Sequence, residues 1–370
     1  AGNRMTLVSQ AVRLLCKAAS VLVMARLVPP GEHGLWVMAA SFVLILYIAR
    51  DLGLGVVAVQ APELSPGQLK RLFLAQNGLG LAWGALTLVA ASGIAAFYRQ
   101  PDLTRLVMLM GLVFPLSALG ATPRAVLTRD MRLATIARVE TVTALIATAV
   151  MIGAGLQGAG AFSFAIFWLT NEGLTAVGLI IKAGWRPTTA TGEPLGDLWA
   201  KGRTLSAQSL LQFLTQQIDG IIIARWMGAA PAGLYSRASQ ILSLPTLHIA
   251  QPISSVTTAT LARCRTDLPI FNQHALGAFR FCAWSILPAL ALVAALPDAW
   301  IRLLLGPDWA GSATVVPGLA LAASCSALNA PLLAIALGTD RVKRLWAATL
   351  LGLPLLVVCI TVGMKTGLSG

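Results

Sequence analysis

The sequence predicts an all-α, polytopic membrane protein built as two pseudo-symmetric helical lobes around a central cavity. Three observations predict it. Hydrophobic residues make up 57% of the 370 positions and charged residues only 11%, whereas soluble domains average about 25% charged. The apolar residues gather in runs of about 18 or more, long enough to cross a bilayer. Lys and Arg concentrate on alternate loops between those runs, the asymmetry that orients membrane helices.

About eleven runs have spanning length: 5–28, 34–59, 72–97, 106–128, 137–157, 159–183, 204–227, 234–262, 273–296, 313–337 and 344–366. Short polar loops punctuate them, among them Pro29-Pro30-Gly31-Glu32-His33 and Tyr98-Arg99-Gln100-Pro101-Asp102. One set of loops carries Arg4, Lys70, Arg71, Arg129, Arg132, Lys182, Lys201, Arg263, Arg265 and Lys343, among others. The opposite set carries only Arg26, Arg99, Arg105, Arg225, Arg302 and Lys365. The expectation is a multi-pass membrane protein with a cytoplasmic N-terminus. The formal net charge of +13 is thereby explained at run ends. No basic patch interleaved with aromatics points to nucleic acid. Cys16, Cys264, Cys282, Cys325 and Cys359 are scattered through apolar sequence and read as free thiols, without metal spacing or a disulfide framework. The first residue is Ala1, so the reading places the true start further upstream.

An internal repeat divides the chain. Ala25-Arg26-Leu27-Val28 followed by Gly34-Leu35-Trp36 recurs as Ala224-Arg225-Trp226-Met227 followed by Gly233-Leu234-Tyr235. Ser117-Ala118-Leu119, Pro123 and Asp130 recur as Ser326-Ala327-Leu328, Pro331 and Asp340. The order is kept at a nearly constant offset, the mark of a duplication. Expected are an N-terminal six-helix lobe (1–183), a cytoplasmic linker (184–203) and a C-terminal lobe (204–370) showing five helices and lacking its last helix or helices. Helices one and seven face the same way, so the repeat is parallel, as in alternating-access transporters.

Polar residues within the runs nominate the site. Thr6, Gln10, Arg13, Lys17 and Ser20 are spaced four, three, four, three and form one stripe on helix one. By helical rise Arg13 and Lys17 lie about 12 and 18 Å into the helix. Two cations one turn apart repel, which argues for a ligand rather than a structural pair. The repeat maps Ser209, Gln212, Gln216 and Asp219 onto the same face of helix seven. A positive wall suits a phosphate-bearing substrate. Asp219 reads equally as a proton or cation site and as a salt bridge to the other lobe. Arg50 beside Asp51, and Arg237, are further candidates for substrate binding, although Arg50 could snorkel and Arg237 could anchor at the interface. Glu172 is a candidate for ion coupling, and Glu140, near a helix end, reads better as an interhelical partner. His248 and His274 lack metal-ligand neighbours, and no cofactor is expected. Gly80 and Gly84 form a GxxxG, a weak sign of close helix packing. No loop is long enough for a lumenal active site, and Gly53-Leu54-Gly55 lacks the strand context of a nucleotide loop. The chain reads as a non-enzyme.

Several segments resemble a known family. Ala25 through Trp36 resembles the first helix-loop-helix of polysaccharide-transport proteins, as do Asp51-Leu52-Gly53-Leu54-Gly55 with Gln60. Leu127-Thr128-Arg129-Asp130-Met131-Arg132 resembles the basic turn after their fourth helix. Gln217-Ile218-Asp219-Gly220, continuing through Gly228 and Gly233-Leu234-Tyr235-Ser236-Arg237-Ala238 to Leu244-Pro245, is the best match. The family is that of the Wzx-type flippases, in the superfamily that also holds multidrug antiporters and the peptidoglycan-precursor flippase. The resemblance implies two six-helix lobes and the flipping of undecaprenyl-diphosphate-linked glycans between leaflets. Its partners would be the lipid-linked glycan and the bilayer, with a polysaccharide polymerase and chain-length proteins as further candidates. Alternatives are a cation-coupled multidrug antiporter of the same superfamily and a membrane glycosyltransferase or ligase. The cations of helix one favour the flippase, and the missing catalytic loop disfavours the ligase.

Overall fold

The computed structural model describes residues 19–61, 64–184, 210, 213–214, 217–264 and 267–338. Among them are helices and turns and no strand. Among the described residues, seven helical segments, two of them jointed, are long and apolar enough to cross a membrane: Pro30–Val59, Pro66–Tyr98, Leu103–Arg129, Leu133–Leu156, Phe162–Ala183, Leu268–Ala295 and Val316–Ala336. These answer to seven of the expected runs. The expected runs 5–28, 204–227 and 344–366 lie wholly or partly outside the described residues.

By contact the chain divides into two compact units, Ala1–Ala230 and Pro231–Gly370. The repeat puts its lobe boundary at 184–203, where only Gly184 is described. In the first unit, α1 is helical over 19–27, followed by α2 (Pro30–Ala49), α3 (Leu54–Gln60), α4 (Pro66–Tyr98), α5 (Leu103–Gly111), α6 (Val113–Arg129), α7 (Leu133–Leu156), α8 (Phe162–Ala183) and α9 (217–227). Helix α6 packs against α4 and α8, and α8 against α7. Ser65 opens α4 with a capping box, accepting from the Gln68 amide while the Gln68 side chain accepts from the Ser65 amide. Pro66 occupies the first turn, where a missing N–H costs nothing.

Close helix approach comes from small residues. A Cβ on Gly84 would lie 3.1 Å from the Gly111 carbonyl oxygen, and one on Gly120 would lie 3.1 Å from the Ala176 Cα. The GxxxG reading of Gly80 and Gly84 is thus realised at the α4 contact with α5 and α6. Interhelical hydrogen bonds add to it, as lipid offers polar groups no other partner. Thr122 donates to Gln76 Oε1 at 2.6 Å, and Thr143 and Thr175 share a bond of 2.8 Å. The opposite faces are apolar and exposed: Leu81, Val89, Val142, Val177 and Ile181 point outward, as a lipid-facing surface requires.

One expected run is interrupted. The run 34–59 reads as a single helix, yet the chain breaks between α2 and α3, where Leu52 (φ 48°) and Gly53 (φ 71°) take left-handed conformations. The Asp51 carboxylate makes the break possible, accepting from the amides of Gly53 (3.1 Å) and Gly55 (3.2 Å). It satisfies donors that the start of α3 would otherwise leave open.

The second unit contains all but the first two residues of α10 (Ala229–Pro245), a π-helical turn (Thr246–Ala250), α11 (Gln251–Arg263), α12 (Leu268–Ala295), α13 (Pro297–Leu304), a 3₁₀ segment (Pro307–Thr314) and α14 (Val316–Gly338). The expected run 234–262 is therefore helical throughout but widened at its middle, beside Pro245 and ahead of Pro252. Such turns accommodate the loss of a proline amide. Helices α11, α12 and α14 pack on one another, and the Ser254 hydroxyl donates to the Ala330 carbonyl at 2.8 Å.

Candidate functional site

A cavity of about 580 Å³ opens in the first unit between α2, α3, α6 and α8. It lies at the end of the unit where α2 and α8 finish and α7 begins. Apolar residues such as Val56, Val59 and Leu179 line part of it, and Tyr47, Arg50, Asp51, Ser117, Arg124, Thr128, Glu172 and Thr175 supply polar groups. This is a polar interior within a bundle whose outer surface is apolar.

The sequence gives each group its place. Tyr47 and Arg50 lie three apart at the C-terminal end of α2, hence on one face. The Arg50 guanidinium folds back over the Tyr47 ring, its Cζ 3.9 Å from the ring centroid, and Nη1 donates to the Tyr47 carbonyl at 3.2 Å. The Tyr47 hydroxyl donates to Glu172 Oε1 on α8 at 2.9 Å. The Tyr47 ring is flanked by Trp168 and Phe114, with centroids 5.1 and 6.4 Å away. At the cavity wall Arg124 Nη1 donates to Glu140 Oε1 at 2.6 Å. Beneath the wall, Arg129 Nη1 donates to the carbonyls of Ala58 and Ala61 and so closes the end of α3.

The structure brings together two of the expected site residues, Arg50 and Glu172. Arg50 does not snorkel outward; it lies on an aromatic face inside the cavity lining. Glu140 is an interhelical partner of Arg124. Arg237 is buried in the second unit, 3% exposed, with Nη1 donating to Gln240 Oε1 at 3.0 Å and its Cζ 5.7 Å from the Trp309 ring centroid. Asp219 sits on α9 and accepts from the Gly220 amide at 2.8 Å. Gln10, Arg13, Lys17, Gln212 and Gln216 lie outside the described residues. Sequence reasoning passed over Tyr47. Its only signal was a tyrosine three residues before an arginine inside an apolar run.

A second cavity, about 650 Å³, lies between α11 and α12 and is lined by Ile253, Val256, Thr260, Gln273, His274 and Phe281, among others. It holds no charged pair comparable to the first.

Membrane-length helices enclosing a polar cavity define a multi-pass membrane protein of the transporter type of fold. Residues 23–314 match the family described as Polysaccharide biosynthesis protein, and the chain belongs to that family. It is 21% identical over 277 residues to the teichuronic acid biosynthesis protein TuaB of Bacillus subtilis, covering 74% of this chain and 57% of the relative. It is 21% identical to the lipopolysaccharide biosynthesis protein WzxC of Escherichia coli, covering 78% and 59%. It is 22% identical to the succinoglycan biosynthesis transport protein ExoT of Rhizobium meliloti, covering 82% and 62%. The chain thus spans about three fifths of the length of these relatives. Among solved structures its fold is similar to that of the lipid II flippase MurJ in an inward closed conformation, with a TM-score of 0.67 at 15% identity over 92% of this chain and 76% of that one. It is also similar to an inward-facing multidrug resistance transporter of the MATE family, with a TM-score of 0.59 at 15% identity over 98% and 99%.

Proposed function

We propose that this chain moves an undecaprenyl-diphosphate-linked oligosaccharide, a repeat unit of a lipopolysaccharide or exopolysaccharide, across a bacterial inner membrane by alternating access. The observation that carries the reading is the cavity of the first unit, with Arg50 held against Tyr47 in its lining. A guanidinium within a lipid-facing bundle is costly unless it meets water or a ligand. A diphosphate can take two parallel, charge-assisted hydrogen bonds from arginine. The family membership and the relatives concerned with polysaccharides point to the same substrate class.

The cavity lies at the end marked by the basic turns around Lys70 and Arg129, which in this proposal faces the cytoplasm, a reading that the distribution of Lys and Arg supports. Head group and sugars would enter there while the polyprenyl tail stays in lipid. In this proposal Gln10, Arg13 and Lys17 extend the cationic wall, Gln212, Gln216 and Arg237 serve the second lobe, and Asp219 and Glu172 couple an ion. The lobes are 1–183 and 204–370, joined by the linker 184–203.

The test is leaflet accessibility of the lipid-linked glycan in cells depleted of the protein. Accumulation on the cytoplasmic face, reversed by the wild-type chain and not by Arg13→Ala or Lys17→Ala variants that insert normally, is the expected result. Unchanged distribution on depletion would end the proposal. A second reading, cation-coupled export of amphiphilic drugs, is favoured by the carboxylates of Asp51 and Glu172 in the same lining. It predicts drug sensitivity on depletion with normal glycan export.

A further inference from the structure

Tyr47 stands between two opposite charges of one cavity lining. Its hydroxyl holds Glu172 at 2.9 Å and the face of its ring carries Arg50 at 3.9 Å. Among the described residues Arg50 and Glu172 form no ion pair with each other; the ion pair at the cavity is that of Arg124 with Glu140. The other carboxylate in the lining, Asp51, accepts from the amides of Gly53 and Gly55. Arg124 belongs to Glu140 on the neighbouring helix. Glu172 is therefore the carboxylate toward which Arg50 would turn if the ring were absent. Meanwhile Arg50 Nε is buried and makes no hydrogen bond, so part of the guanidinium fork is kept unspent.

We infer that Tyr47 is a positioning residue that keeps Arg50 and Glu172 apart, so that the guanidinium stays available to an anionic group entering the cavity. The inference rests on the proposed reading of the cavity as a diphosphate site. The ring is suited to the role. Its face attracts a cation less strongly than a carboxylate would, so an arriving phosphate can displace it. The bond to Glu172 and the flanking rings of Trp168 and Phe114 fix its plane.

The experiment uses the purified chain in detergent with inorganic pyrophosphate as the probe, followed by titration calorimetry, with glycan export in cells as the second readout. Tyr47→Phe keeps the spacer and loses one hydrogen bond, and its affinity should fall within about threefold of wild type. Tyr47→Ala lets Arg50 close on Glu172, and affinity should drop by roughly tenfold or more. Adding Glu172→Gln to Tyr47→Ala should recover most of that loss of pyrophosphate affinity, read by calorimetry and not by export, because Glu172 is itself assigned to ion coupling. A merely structural tyrosine would show no such rescue. Tyr47→Leu keeps bulk against Trp168 and Phe114 without the ring face, and serves if the alanine variant fails to fold; it should lose affinity and be rescued in the same way. A folded Tyr47→Ala variant that binds as wild type, or a double variant no better than the single, overturns the inference while leaving the cavity reading intact. Failure of the wild-type chain to bind pyrophosphate overturns the cavity reading and this inference with it.

Discussion

Gly80 on α4 faces Ala118 on α6 so closely that a Cβ at position 80 would lie 2.6 Å from the Ala118 Cβ and 3.0 Å from the Phe114 carbonyl oxygen. Part of that contact is backbone and cannot yield by a rotamer change. Gly80→Leu is therefore expected to destabilise the first unit by about 1–3 kcal/mol. Gly78, two residues away, has nothing within 4 Å of its Cβ position, and Gly78→Ala should be neutral or stabilising by about 0.5–1 kcal/mol. Thermal unfolding of the two variants in detergent checks the contrast; equal melting temperatures would contradict the packing.

The Asp51 carboxylate spans two amides across the break before α3, and a Cβ on Gly55 would sit 2.9 Å from Asp51 Oδ2. Asp51→Ala should cost about 1 kcal/mol through loss of the cap. Asp51→Asn keeps one acceptor and should cost less. Gly55→Ala should fail by a different route, displacing the carboxylate. Proteolytic nicking in the 50–55 segment reports all three.

Arg124 and Glu140 join α6 to α7 across the cavity wall. Their side chains are 45% and 24% exposed, so solvent screens the pair and either neutralising variant should cost under about 1 kcal/mol. Stability should return in the exchanged double variant Arg124→Glu with Glu140→Arg. Export should not return, because the charge lining the cavity has changed position. Recovery of both would mean that Arg124 has no part in the cavity's work.

Arg237 is buried beneath Trp309, with Gln240 as partner. Arg237→Ala removes both contacts and should destabilise the second unit by about 1–3 kcal/mol. Arg237→Lys keeps a charge but not the planar fork, and should fall between. Limited proteolysis of the 231–338 region, compared with that of the first unit, locates the effect.

The helices were legible because lipid leaves a protein few ways to satisfy its backbone, and the resulting apolar runs are written in the composition. Arg50 and Glu172 stood out for the same reason: an ionisable residue within such a run is conspicuous. Tyr47 was not, since a tyrosine suits an apolar run, an interface or a cavity equally well, and its role depends on the guanidinium and the carboxylate that the fold brings to it. The break before α3 was half visible. Asp51 and Gly53 are turn residues, but Leu52, Leu54, Val56 and Val57 continue the hydrophobic run across them, and only a capping geometry between Asp51 and two amides decides against one continuous helix. Gly80 and Gly84 gave away close packing by their spacing, though the identity of the facing surface, Phe114 to Ala118, required the fold.

The aromatic contacts along α2 and α8 have a mechanical meaning. His33 meets Phe164, Phe164 meets Trp36, Trp36 meets Trp168, and Trp168 meets Tyr47, with ring centroids 5.1 to 6.2 Å apart. Rings meshed in this way along two helices resist sliding as cogs do, since any slip of one helix past the other must pull each ring out of its seat. From His33 to Arg50 the ladder covers about 25 Å of helix. A displacement imposed at one end of that ladder would pass from ring to ring toward the other, so a tilt of α2 at His33 is expected to reach the guanidinium at the cavity.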